Sequence, residues 1–231
     1  MDNLVKNVTI DWDWVESHVT SRERLREISE NNTKEAIFKQ LKNALTIARS
    51  KACPAIFLAK ENIAVFNPTS IELKCGVVLT SKELSSHIKG ATGIYVFLVT
   101  IGKDLEEAAS SCMGSDDHLL GYFLDRVGSF AVESLAKNAE EILRSSLIKE
   151  HLSVSMRFSP GYCDWPIEEQ FNLAKIIDFS KAGITLTKNC MMIPKKSISA
   201  IVGIGSEKLF AEVTSPCTLC NMKTCDYRRR T

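Results

Sequence analysis

The sequence predicts an α+β fold: a single domain with a mostly antiparallel, twisted sheet covered by helices, followed by a cysteine-containing C-terminal tail. Two segments carry this expectation. Residues 94–101 (IYVFLVTI) form an unbroken run of apolar β-formers between Gly93 and Gly102, the pattern of a strand buried on both faces. Residues 116–149 place Leu120, Leu124, Val127, Ala131, Leu135, Ala139 and Ile142 at steps of three and four, which makes one apolar stripe on a long helix. A strand buried on both sides needs covers, and the stripe supplies one of them.

The other elements follow in chain order. The opening stretch to about residue 50 reads as helical. Residues 21–28 and 33–47 are rich in helix formers, with Ala36, Ile37, Leu41, Ala44, Leu45 and Ala48 near helical spacing. Residues 55–65 suit a strand and a turn, and residues 71–80 (IELKCGVVLT) a strand with a glycine interruption. Asp116 or Asp117 is placed to cap the long helix. Pro160-Gly161 marks a loop, a helix is expected over residues 167–179, and residues 184–187, 200–204 and 209–213 suit short strands. Residues 1–213 make the domain and residues 214–231 the tail, with no internal repeat.

Composition narrows the function classes. A net charge of +1 gives no field to attract nucleic acid or an anionic membrane, so neither is an expected partner. No apolar run approaches the roughly 20 residues that span a bilayer. The N-terminus lacks the apolar core of a secretory signal, and a cytoplasmic location is expected. Reducing surroundings make a disulfide framework a poor account of eight cysteines. Cys53, Cys75, Cys112, Cys163 and Cys190 are scattered and read by default as small core hydrophobes.

Cys217, Cys220 and Cys225 crowd together at the end. A Cys-x-x-Cys spacing lets two thiolates hold one metal from a tight turn, so these three are candidate ligands for zinc or an iron–sulfur cluster. Cys190, Cys163 or a partner protein is left to complete the set, and unligated thiols are the alternative. Phosphate loops, dinucleotide fingerprints and hydrolase elbows are missing. The four histidines, His18, His87, His118 and His151, stand far apart in sequence. No catalytic acid, base or nucleophile is assigned.

Residues 157–166 read Arg-Phe-Ser-Pro-Gly-Tyr-Cys-Asp-Trp-Pro. This segment resembles the Arg-Pro-Ala-Pro-Gly-Tyr-Pro-x-x-Pro signature of the activation domain of cobalamin-dependent methionine synthase. Gly183-Ile-Thr-Leu-Thr187 and Met192-Ile-Pro-Lys-Lys-Ser-Ile-Ser199 follow at comparable spacing and resemble the family's next two motifs. Weaker echoes are Asp125-Arg-Val with Glu133, and Ile10-Asp11-Trp12. The chain departs from the pattern at Phe158 and Ser159, at His151, where the family carries an acid, and at Leu209 or Phe210, where it carries a tyrosine.

The resemblance implies that the chain binds S-adenosylmethionine and supports reductive methylation of a cobalamin carried by a partner, a methionine synthase or another corrinoid protein. Arg157, Ser159, Gly161, Tyr162, Asp11 and Glu133 are the implied binding residues. Arg157 can clamp the ligand carboxylate, and Tyr162 can face the sulfonium or ribose. Backbone near Ser159 can read the adenine edge, and Gly161 permits close approach. Reduced cobalamin is itself the nucleophile and the sulfonium methyl is already activated, so the cofactors carry the chemistry. The one-electron donor would be a flavodoxin-like or ferredoxin-like protein. Two other readings stay open: a non-catalytic corrinoid-protein binding module, and a metal-dependent redox accessory protein.

Overall fold

The computed structural model describes residues 3–5 and 8–210. The tail, with Cys217, Cys220 and Cys225, and the boundary expected at residue 213 lie outside the described residues.

Among the described residues, nine strands are interspersed with six α-helices. After β1 (Asn3–Val5) come α1 (Trp12–Arg22) and α2 (Asn31–Lys51). Next are β2 (Ala55–Asn67), β3 (Ser70–Leu73), β4 (Val78–Thr80), α3 (Lys82–His87) and β5 (Gly93–Thr100). α4 (Asp104–Met113) and α5 (His118–Ile148) follow, then β6 (Leu152–Val154) and the short α6 (Gln170–Leu173). The hairpin of β7 (Thr185–Leu186) and β8 (Met192–Ile193) leads into β9 (Ser197–Ser206). The main sheet runs β4-β3-β2-β5-β9-β6, antiparallel at every pair, with β1 also on β2. β1 pairs with the start of β2 and β3 with its end, so two short strands share one side of a long, curled one.

Side chains along the central strands alternate between two cores, as the period of two requires. Phe97 and Val99 of β5, with Ile56 of β2 and Val202 of β9, pack on the helix face under α1, α2, α4 and α5. Ile94, Val96 and Leu98 face the other way, with Phe57 and Ile201, under β3, β4, α3 and the segment 158–184. Seven of the eight residues of β5 are buried, as the apolar run 94–101 predicts.

The helix face follows the sequence closely. α5 buries Leu120, Leu124, Val127, Ala131, Leu135 and Ala139 as one stripe, and α2 buries Leu41, Ala44, Leu45 and Ala48. Removing one such leucine side chain would cost about 2–5 kcal/mol. Asp117 stands at the N-cap of α5 but its side chain makes no capping bond. The loop is held instead by Ser115 Oγ, which accepts the Asp117 amide at 3.3 Å.

The other face departs from expectation in three places. The glycine within residues 71–80 is a turn, not a flaw in one strand: Gly76 has φ +84° and β3 folds back on β4 around it. The helix expected over 167–179 is broken into a 3-10 turn at Ile167–Glu169, the single turn of α6, and a second 3-10 turn at Phe179–Ala182. Asp178 makes the break, because its carboxylate accepts the Ser180 amide at 2.9 Å and restarts the chain. Leu209 and Phe210 lie in a turn and not in a strand, and the rest of 209–213 lies outside the described residues.

Candidate functional site

The segment 152–159 runs along the free side of β9. Leu152, Ser153 and Val154 pair with Ser206, Gly205 and Ile204. Ser155 then donates its amide to Gly203 O at 3.0 Å, and its Oγ accepts the Gly203 amide at 2.9 Å. Pairing resumes at Phe158 with Ile201, both bonds 2.9 Å. Phe158 is fully buried in the second core beside Trp165 (ring centroids 5.9 Å apart). Arg157 projects to the opposite side, against α5.

Arg157 is 2% exposed, and its charge is answered by two carboxylates. Its Nη2 donates to Glu133 Oε2 in a close ion pair. Its Nε lies 3.7 Å from Glu140 Oε1, and its backbone amide donates to that same oxygen at 3.3 Å. Burial by itself would lower the Arg157 pKa; Glu133 and Glu140 outweigh it and hold it above the ordinary value. Glu133 and Glu140 lie seven residues apart on α5, two turns along one face. The Nε and Nη1 donors are both buried without a hydrogen-bond partner, and the same holds for Ser159 Oγ.

After Ser159 the chain turns tightly. Tyr162 N donates to Ser159 O at 3.0 Å, Trp165 N to Tyr162 O at 2.9 Å and Gly161 N to Trp165 O at 2.8 Å. Gly161 takes φ +91°, where a side chain is strained. Tyr162 is 39% exposed, edge-on to Phe158 at 5.9 Å. Thus Gly161 and Tyr162 present an open surface on a base that is wholly buried.

The far end of the loop is tied to α3. Asp164 accepts hydrogen bonds from Ser81 Oγ at 2.5 Å, Lys82 N at 2.8 Å and Glu83 N at 3.2 Å, the unsatisfied donors of a helix start. Burial alone would raise the Asp164 pKa, but the bonds from Ser81, Lys82 and Glu83 together hold it below the usual value. At the other end of α3, His87 Nε2 lies 2.9 Å from Met156 O and the ring packs on Phe158 at 5.5 Å. Desolvation lowers the His87 pKa, against the Met156 bond that raises it. One six-residue helix therefore grips both ends of residues 156–164.

Of the residues named from sequence, Arg157, Glu133, Ser159, Gly161 and Tyr162 fall into one neighbourhood. Asp11 caps α1 by accepting the Trp14 amide at 2.9 Å, and its own amide donates to Ser134 Oγ at 2.9 Å, next in sequence to Glu133. It is therefore anchored on α5 beside the site. Glu140, Asp164, Ser81 and His87 were not singled out from sequence. Glu140 had a readable signal, its spacing from Glu133; Asp164 had none, because its partner Ser81 lies 83 residues away.

The Met192–Ser199 motif ties β9 to the helices. Lys196 reaches Asp125 (Oδ1, 2.7 Å) and Ser129 (Oγ, 2.8 Å) on α5, and its stem passes over Gly128, where an added Cβ would lie 3.4 Å from it. Ser199 Oγ donates to Gln170 Oε1 at 2.7 Å, both buried, joining β9 to α6. The scattered cysteines correct the core reading: Cys53, Cys75 and Cys163 are exposed, and of the five only Cys190 is buried. Among the described residues, no group of three His, Cys, Asp or Glu side chains is placed to hold a metal ion, and no helix is long and apolar enough to cross a membrane.

A family model described as the vitamin B12 dependent methionine synthase activation domain matches residues 82–215. The chain belongs to this family. The matched span begins at α3 and contains Glu133, Glu140, Arg157 and the whole loop to Asp164; Asp11 and the tail cysteines lie outside it. The activation-domain fold is seen directly in a solved structure, the crystal structure of the MetH reactivation domain bound to AdoHcy. It superposes with a TM-score of 0.66 at 16% sequence identity, over 93% of this chain and 80% of that one. Comparison with curated proteins finds no match.

Proposed function

We propose that this chain binds S-adenosylmethionine on the Arg157–Tyr162 segment, facing Glu133 and Asp11, and presents its methyl group to the cobalamin of a partner corrinoid protein during reductive reactivation. The observation that carries this reading is the state of Arg157: a buried guanidinium, paired with two carboxylates, in the family's signature segment, with its Nε and Nη1 donors still without a hydrogen bond. Buried donors without acceptors are rare and call for an occupant. Ser159 Oγ is a further such group in the same strand.

The roles of the residues follow from their placement. Arg157 Nη1 and Ser159 offer hydrogen bonds to the polar parts of the ligand, the former to its carboxylate. Glu133 and Asp11 supply negative charge for its ammonium or sulfonium. Gly161 removes the Cβ that would stand at the turn, and Tyr162 offers a ring face beside it. When bound, the sulfonium supplies an already activated methyl group, so the chain needs no acid or base of its own. Its contribution is position and exclusion of water from the approach. The family and the AdoHcy named with the MetH reactivation domain support this reading. The tail cysteines are proposed, on spacing alone, to hold a thiolate-bound metal.

Calorimetric titration of S-adenosylmethionine into the purified chain tests the binding: one saturable site is expected, and Gly161→Ala should weaken it. No heat of binding in the wild-type chain overturns the proposal. The methylation step is read by the visible spectrum of a corrinoid protein moving from the cobalt(+2) to the methylated form in the presence of an electron source. Conversion at the same rate without this chain removes the reactivating role.

A further inference from the structure

Arg157 is held differently on its two sides. The Glu133 contact involves only the outer nitrogen Nη2, whereas a single oxygen of Glu140 stands near both Nε and the backbone amide of the same residue. A carboxylate hydrogen-bonded to the main chain and ion-paired with the side chain of the same residue favours one set of χ angles between them, even though Nε makes no hydrogen bond to it. Glu140 is itself largely buried, at 13% side-chain exposure. It sits on the middle of α5, whose Ala136, Ala139 and Leu143 are locked in the helix-face core, so the oxygen has a rigid base.

We infer that Glu140 is a positioning residue of the binding site: it draws Nε to its own side as an ion pair and so orients Arg157 with Nη1 toward the ligand carboxylate. This rests on the reading of residues 157–162 as the ligand segment, but it makes a separate claim. Glu133 serves as the charge partner, and Glu140 as the geometric one. Recognition of the amino-acid end of the ligand depends on Glu140 although Glu140 does not touch it, while the nucleoside end is indifferent to it.

The test compares S-adenosylmethionine with 5′-methylthioadenosine, which lacks the carboxylate and ammonium, on the wild-type chain and on Glu140→Gln. The Gln side chain keeps the shape and a neutral acceptor but not the charge. The expected result is an affinity for S-adenosylmethionine lowered about tenfold, the scale of one charge-assisted hydrogen bond, with that for 5′-methylthioadenosine unchanged. Solvent exchange of the Arg157 Nε proton, followed by ¹⁵N NMR, should accelerate by about tenfold or more in the variant, reporting the loosened side chain without any ligand. Glu140→Asp, which keeps the charge but shortens the reach, should behave like Glu140→Gln and serves if that variant does not fold. Equal loss of both ligands, or an Arg157 proton that exchanges at the wild-type rate, overturns the inference. A wild-type chain that binds neither ligand overturns the proposed function instead, and the exchange measurement then decides the role of Glu140 alone.

Discussion

The two faces of the sheet are covered by different means. One lies under long helices whose apolar stripes recur at three and four residues; the other lies under a hairpin, a six-residue helix and three short helical turns. The helix face draws its stability from local periodicity and continuous burial. The second face is assembled from single anchors far apart in sequence, such as Asp164 on Ser81 and Ser199 on Gln170. The binding segment borrows from both. Arg157 is fastened to the helix face, and Phe158, Asp164 and Trp165 to the other, so its geometry is only as good as the agreement between two differently built layers.

The largest expected effect breaks the link to the helix face. Arg157→Met leaves Glu133 and Glu140 without their cation, and removing one partner of a buried pair costs about 3–5 kcal/mol. Glu133 is 31% exposed, which puts the expectation near the lower end, about 3 kcal/mol in urea denaturation. A loss under about 1 kcal/mol would mean that the two carboxylates are well hydrated and that the segment is not anchored on α5.

Next comes the link to the other face. Asp164→Ala removes three hydrogen bonds at the start of α3 and should cost about 1–2 kcal/mol near neutral pH, as lost caps do. The sign of its pH dependence is fixed by the depressed carboxyl. Its stabilisation is full above the unfolded value, about 3.9, and disappears as pH falls through the lower folded value. Wild type and variant should therefore converge in acid. A gap that persists well below pH 3 would assign the effect to packing and not to charge.

A smaller effect belongs to His87, at the other end of α3. Its folded pKa lies below the ordinary 6.5, so the native state favours the neutral ring. Stability from this group is complete above that value and falls as pH drops through the folded one. His87→Gln should flatten the profile between about pH 5 and 7, by less than about 1 kcal/mol. An unchanged profile would mean that another group titrates there.

The smallest effect on either face is expected from the tail. Protein purified without oxygen should contain thiolate-bound metal that Cys220→Ser removes, with the melting temperature of the domain and its ligand affinity unchanged. Less than about a tenth of an equivalent of metal in the wild type would leave Cys217, Cys220 and Cys225 as ordinary thiols.

The contrast between the faces also explains what can be read from the chain. Residues 94–101 and the stripe from Leu120 to Ala139 announce themselves because each is a repeat of one physical period within one element. Arg157, Ser159, Gly161 and Tyr162 were readable as a motif, and Glu133 as an echo of one. Hidden were the contacts that aim them. The bond between Asp164 and Ser81 leaves no local trace, and Asp178, which breaks the 167–179 segment, looks like any surface acid in a helix. Three cysteines expected inside are outside for a similar reason, since a small hydrophobe carries no sign of which layer it joins.

The passage from Ser155 to Phe158 has a consequence in parity. Ser155 stands opposite Gly203 and Phe158 opposite Ile201, so Met156 and Arg157 together face only Val202. One extra residue in a strand flips the alternation of everything after it. Val154, before the step, points to the helix face; without the step, even-numbered residues would continue to do so, and Phe158 would press against the acids of α5 while Arg157 entered the apolar layer beside Trp165. Regular pairing of the same residues would thus exchange the two side chains while keeping every residue of the signature, and the motif would be intact in the sequence and inverted in space. Deleting Met156 together with the step would instead leave Arg157 opposite Val202 and Phe158 opposite Ile201, each on its present side.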